Sequence, residues 1–72
     1  MRMSIQWYHN YIVEGFAKPS GAGRFAALGR VRLGDHVIAE SEAFGSFAQC
    51  SDAQSGGLSW AQRHVDALIS SA

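Results

Sequence analysis

Seventy-two residues carry six Lys/Arg against six Asp/Glu, a formal net charge of zero. That length holds one domain, 1–72, with a small core; the charge balance removes the strongest sequence argument for nucleic acid, and 47% hydrophobic residues exclude a disordered chain. Cys50 is the single cysteine, which fits a reducing compartment, and no apolar run nears the ~20 residues of a membrane span, so a cytoplasmic protein with no membrane contact is expected.

The first segment, "SIQWYHNYIVEGFAK", is rich in aromatic and β-branched residues and reads as a strand. Its odd positions hold Ile5, Trp7, Tyr11 and Val13 and make the better core face. Its even positions mix Gln6, Asn10, Glu14 and Lys18 with Tyr8, Ile12 and Phe16. The start "MRMSIQWYHNY" lacks the apolar core of a signal peptide.

"KPSGAGR" follows, a glycine-bearing string with two cations that invites a phosphate-loop reading. A phosphate cradle needs a helix after its glycines. Here "RFAALGRVRL" comes next, and it alternates as a strand, so the string is expected to be a hairpin connection. In that second strand Phe25, Ala27, Val31 and Leu33 share one side, and Arg24, Arg30 and Arg32 share the other with Leu28.

The third strand, "HVIAESEAF", is joined through "LGD". A three-residue loop, Leu33-Gly34-Asp35, pairs Val31 with Val37 and Arg30 with Ile38. It keeps apolar and charged faces distinct, whereas a two-residue Gly34-Asp35 turn mixes them. The three-residue loop is the expected register, with Arg30 diagonal to Glu40. Gly45 bends the third strand, which leaves room for a short fourth around Ser46 to Gln49.

Leu58, Ala61, Val65, Leu68 and Ile69 then recur at helical spacing, with Trp60 and His64 on the flank. Ser51-Asp52-Ala53-Gln54 matches a capping box. It predicts a helix from Asp52 to about Ser70, against a shorter form starting near Leu58. In the long form Gly57 lies on the stripe with Ala61, where missing side chains let the helix approach the sheet. The predicted fold class is α+β: a three-stranded antiparallel meander, or four-stranded with the short piece, and one long C-terminal amphipathic helix on one face.

This order of elements, with the "WYHNYIVEGFA" start, "GRFAALGRVRLGD" and "AQRHVDALI", resembles a group of small uncharacterised bacterial proteins of about this length. The resemblance covers most of the chain and implies the fold and the long helix. It implies no activity for particular residues, and His64 stands where that group commonly has an aromatic residue. A looser similarity links the layout to RNA- and single-strand-binding folds that lay a helix across a curved sheet.

Chemistry is not concentrated anywhere. His9, His36, His64 and Cys50 show none of the close spacings of zinc modules. His64 and Asp66 are two apart on a helix and point in different directions. No catalytic residue, cofactor, metal or small-molecule substrate is therefore expected, and the chain reads as non-enzymatic.

What remains is a face. The sheet side away from the helix is expected to carry Tyr8, Ile12, Phe16, Arg24, Leu28, Arg30, Arg32, Ile38 and Glu40, a contiguous apolar patch rimmed by charge. The expected function is a protein-interaction module acting through that face or an edge strand. Its partner is another protein or a second copy of itself in a homodimer. The alternative is a single-stranded nucleic-acid or RNA binder stacking bases on Tyr8 and Phe16 while Arg24, Arg30 and Arg32 hold phosphates. Glu14, Glu40 and Glu42 on the same side oppose it.

Overall fold

The dipeptide His9-Asn10 carries no glycine, yet it reverses the chain. In the computed structural model, which describes residues 2–71, both take positive φ, 50° and 70°, as a two-residue type I′ hairpin turn requires. The opening segment is therefore two strands, β1 (Arg2–Tyr8) and β2 (Tyr11–Gly21), with Tyr8 opposite Tyr11. There follow β3 (Arg24–Leu33), β4 (His36–Glu40), β5 (Phe44–Phe47) and a helix, α1 (Cys50–Ser70). The sheet is antiparallel in the order β1-β2-β3-β4, and β5 pairs with the other end of β3.

The α+β architecture, a meander with one long C-terminal helix on one face, matches the sequence expectation. The sheet has five strands because the first segment is a hairpin and the chain pairs again at Phe44. The hairpin changes which residues lie inside. A two-residue turn makes the even residues of β1 share a face with the odd residues of β2. Ile5 and Trp7, expected in the core, consequently point away from the helix, and Trp7 is 72% exposed.

The β3–β4 connection also differs from expectation. Leu33 pairs with His36 across a two-residue Gly34-Asp35 turn, and Gly34 takes φ 60°. The expected pairing of Val31 with Val37 and Arg30 with Ile38 is not made: Arg32 faces Val37, and past a bulge at Ile38 Val31 faces Ala39 and Arg30 faces Glu40, which still keeps the apolar and charged faces distinct. Arg30 is thus directly opposite Glu40, not diagonal to it. Past β4, the Ser41 amide donates to the Gly29 carbonyl and the Gly29 amide donates to Ser41 Oγ, both at 2.8 Å.

The helix takes the long form and begins two residues earlier than expected. Gln49 is its N-cap, with no side-chain capping bond. The expected capping box is not made because Ser51 is already inside the helix, and Gln54 turns to the sheet, where its Oε1 accepts from Ser4 Oγ at 3.1 Å.

The helix seam is Ala53, Gly57, Ala61 and Val65, one small residue per turn. At its centre Gly57 lies on Gly15 and Gly29. A Cβ at Gly57 would collide with the Leu28 carbonyl and come within 2.8 Å of Gly15 Cα. The two backbones approach this closely only because all three side chains are missing. The glycines divide the core in two. One half is Val13, Val31, Ala61 and Val65 with Tyr8, Tyr11, Ala39, Leu58 and Trp60 packed around. The other is Ala17, Ala27 and Ala53 with Phe25, Phe44, Phe47 and Cys50. The fully buried apolar side chains are valines and alanines alone among the described residues. Each valine contributes about 1.5–3 kcal/mol on burial, so the core is small even for this length. Leu68, expected on the stripe, is half-buried, and Ile69 is exposed. No helix is long and apolar enough to cross a membrane among the described residues.

Candidate functional site: the uncovered sheet face

β1 presents Ser4, Gln6 and Tyr8 to the helix and Met3, Ile5 and Trp7 to the other side. Three hydrogen bonds secure the polar set. Ser4 donates to Gln54, Gln62 Nε2 donates to Gln6 Oε1 at 3.0 Å, and Tyr8 OH donates to Asp66 Oδ1 at 2.8 Å. That last bond pushes the Tyr8 pKa above its ordinary 10.0, because the carboxylate accepts from the protonated phenol. An ordinary half-covered strand turns its apolar residues toward the core. In β1 that polarity is inverted.

The inverted strand heads three rows that run across the uncovered face. The register lines up Trp7, Ile12, Arg32 and Val37; then Ile5, Glu14, Arg30 and Glu40; then Met3, Phe16 and Leu28. Two rows are largely apolar, and the charge is concentrated between them and beside Ile12. Met3, Ile5, Trp7, Val37 and Ile38 are large hydrophobic residues left exposed.

Glu14 anchors the middle row. It is 2% exposed and is the single buried charged residue among those described. Its Oε1 accepts from Arg30 Nε at 2.6 Å and lies 3.2 Å from Arg32 Nε. Arg30 also approaches Glu40 at 3.6 Å and lies 4.7 Å above the Phe16 ring. A buried carboxylate persists only when paired, and the two guanidinium groups flank it. The hydrogen bond to Glu14, before the charge of Glu40, drives the Arg30 pKa further above its ordinary value, so Arg30 stays cationic. Arg32 Nε is buried yet makes no aligned hydrogen bond. A pocket of about 190 Å³ opens beside this cluster, lined by Phe16, Leu28, Arg30 and Glu40.

Of the residues expected on this face, the structure brings together Ile12, Phe16, Leu28, Arg30, Arg32 and Glu40. Ile38 is the extra, exposed residue of the β4 bulge. Two do not join them. Tyr8 lies on the helix side, because the His9-Asn10 turn reverses the parity. Arg24 is at the far end of β3, bound through Nε to Ser46 Oγ and through Nη2 to the Ser46 carbonyl, each at 2.9 Å. Six residues of strand, roughly 20 Å, separate it from Arg30. "KPSGAGR" forms the end of β2 and a two-residue turn at Ala22-Gly23, with Gly21 opposite Arg24. Sequence reasoning missed Met3, Ile5 and Trp7 as members of the face. The signal that finds them is the Asn at position 10, a residue type enriched at positive φ.

The possible ligating side chains stay dispersed. His9 is in the first turn, His36 opens β4 and Cys50 opens the helix. His64 stacks on Trp60, with ring centroids 5.4 Å apart. No protein-family model matches the chain, and no curated protein and no solved structure matches it either.

Proposed function

We propose that this chain is a non-enzymatic protein-interaction module that works through its uncovered sheet face. The observation that carries the reading is the inverted polarity of β1. Met3, Ile5 and Trp7 face water while Ser4, Gln6 and Tyr8 occupy the side against the helix. Contiguous apolar surface with a charged rim marks an interface, and exposed tryptophan is the residue type most enriched among binding hot spots. The nucleic-acid alternative draws less support from the same face. Tyr8 is elsewhere, Arg24 is engaged with Ser46, and both Arg30 and Arg32 lie on Glu14. A cytoplasmic location belongs to the same reading and rests on the lone cysteine.

The test is affinity capture from the native host with three baits: the wild type, Trp7→Glu, and Arg63→Ala on the exposed side of the helix. The reading expects a partner held by wild type and by Arg63→Ala and lost from Trp7→Glu. An unchanged set of captured proteins with Trp7→Glu would overturn it.

A further inference from the structure

Resting on that reading, we propose that the partner is a second copy of this chain, docked face to face, with Trp7 of each copy seated in the other's Phe16–Leu28–Arg30–Glu40 pocket.

Four observations lead there. The first is extent. The molecule measures 42 × 21 × 16 Å, and β2 and β3 run eleven and ten residues through the sheet. The bare sheet therefore offers a broad side that can supply the ~800 Å² per partner of a standard stable interface.

The second is charge. The face carries Arg30 and Arg32 against Glu14 and Glu40, so it favours neither an acidic nor a basic partner. It is complementary to itself, since Arg32 of one copy can meet Glu40 of another. A chain of formal net charge zero also sets up no long-range repulsion between copies.

The third is the core. Its buried apolar side chains stop at valine, while isoleucine, methionine and tryptophan sit on the bare face. A domain with so small a core that leaves Met3, Ile5 and Trp7 exposed gains from covering that surface, and its own copy is always available.

The fourth is register. Trp7 lies on β1 in the row of Ile12, and the pocket lies across β2, β3 and β4, between the row of Phe16 and Leu28 and the row of Arg30 and Glu40. Two strand spacings and about three residues separate them, roughly 14 Å. The midpoint is beside Glu14 on β2. A two-fold axis lying in the interface at that point exchanges tryptophan and pocket, which closes the pair with no surface left open for further addition. The pocket, about 190 Å³, is below the ~300–1,000 Å³ of small-molecule sites and suits one large side chain. Its Arg30 and Phe16 offer cationic and aromatic contacts to an indole, and Glu40 can accept from the indole N–H.

Sedimentation velocity on the full chain, from nanomolar to high micromolar, tests this with three proteins. Wild type is expected to show a reversible monomer–dimer equilibrium with no larger species. Trp7→Ala, which removes an exposed group, and Leu28→Lys, which fills the pocket, should each weaken dimerisation about tenfold or more. Circular dichroism checks that both remain folded. Mixed together, they should form dimer that neither forms alone, because one intact Trp7–pocket contact survives in the heterodimer. A wild type that stays monomeric throughout would overturn the proposal and leave the host-partner capture to decide the broader reading. Dimers unaffected by either variant, or no recovery on mixing, would overturn the two-fold arrangement.

Discussion

At the centre of the sheet the two faces divide the amino acids by size in opposite senses, although Tyr8, Tyr11 and Phe25 pack at the margins of the covered side. Against the helix stand Gly15, Gly29, Ala17, Ala27, Val13 and Val31; on the bare side stand Met3, Ile5, Trp7, Ile12, Phe16 and Leu28. The covered face is small because the helix backbone rests almost on the sheet backbone. Under the helix seam, burial within the chain and apolar bulk have therefore separated: bulk lies at the margins of the covered side and across the bare one.

The strongest way to break this contrast is through the glycine contact. Gly57→Ala gains helix propensity of about 1 kcal/mol, but its new Cβ meets the Leu28 carbonyl and Gly15 Cα, both backbone. The expected net result is a loss of about 2 kcal/mol or more, read as a lowered melting temperature. Gly56→Ala, one residue away, meets only the Phe47 ring at 3.2 Å and Ala27 Cβ at 3.4 Å. It should be neutral or stabilising by under about 1 kcal/mol. Equal losses from both would show that the close approach is not what selects glycine.

On the bare face, Glu14→Ala removes the carboxylate that accepts from Arg30 and forms an ion pair with Arg32. Because both guanidinium groups can turn back to solvent, the expected loss is about 2 kcal/mol, below that of a fully enclosed pair. Chemical denaturation measures it, and the double variant with Arg30→Ala should lose less than the sum of the singles.

A smaller effect is expected where β1 meets the helix. The Tyr8 pKa is raised above 10.0 by its bond to Asp66. The folded state therefore holds that proton more tightly than the unfolded state. The stabilisation is fully present below pH 10 and is lost as the pH climbs through the folded value. Tyr8→Phe should flatten the fall in stability above pH 10. A variant that retains the wild-type alkaline slope would remove the Tyr8–Asp66 bond from the account. Smallest of all, Trp7→Glu should leave the thermal stability of the dilute protein within about 0.5 kcal/mol, since Trp7 makes its proposed contacts with another chain.

Much of the covered face was legible in the sequence. Ala61 and Val65 at helical spacing, with Gly57 on the same stripe, placed the helix and its close approach, because a 3.6-residue period survives local irregularity. Ile12, Phe16, Leu28, Arg30, Arg32 and Glu40 were legible as one face through strict alternation. The rest was hidden by parity. A strand pattern has period two, so one unrecognised two-residue turn at His9-Asn10 moved Ile5 and Trp7 outward and Tyr8 inward. The bulge at Ile38 did the same on a smaller scale, since it lets a Gly34-Asp35 turn coexist with the Arg30–Glu40 pairing. Alternation records faces within a strand and carries no information on where a strand ends.

In the proposed dimer the bare face is covered in the working protein. Hydroxyl-radical footprinting of Met3 and Trp7 tests it directly, with half-buried Trp60 on the helix as the internal reference. Both residues should be oxidised rapidly in dilute isolated protein. At host concentration or in host extract they should be protected several-fold, while Trp60 is unchanged. Equal oxidation of Met3 and Trp7 under the two conditions would contradict it.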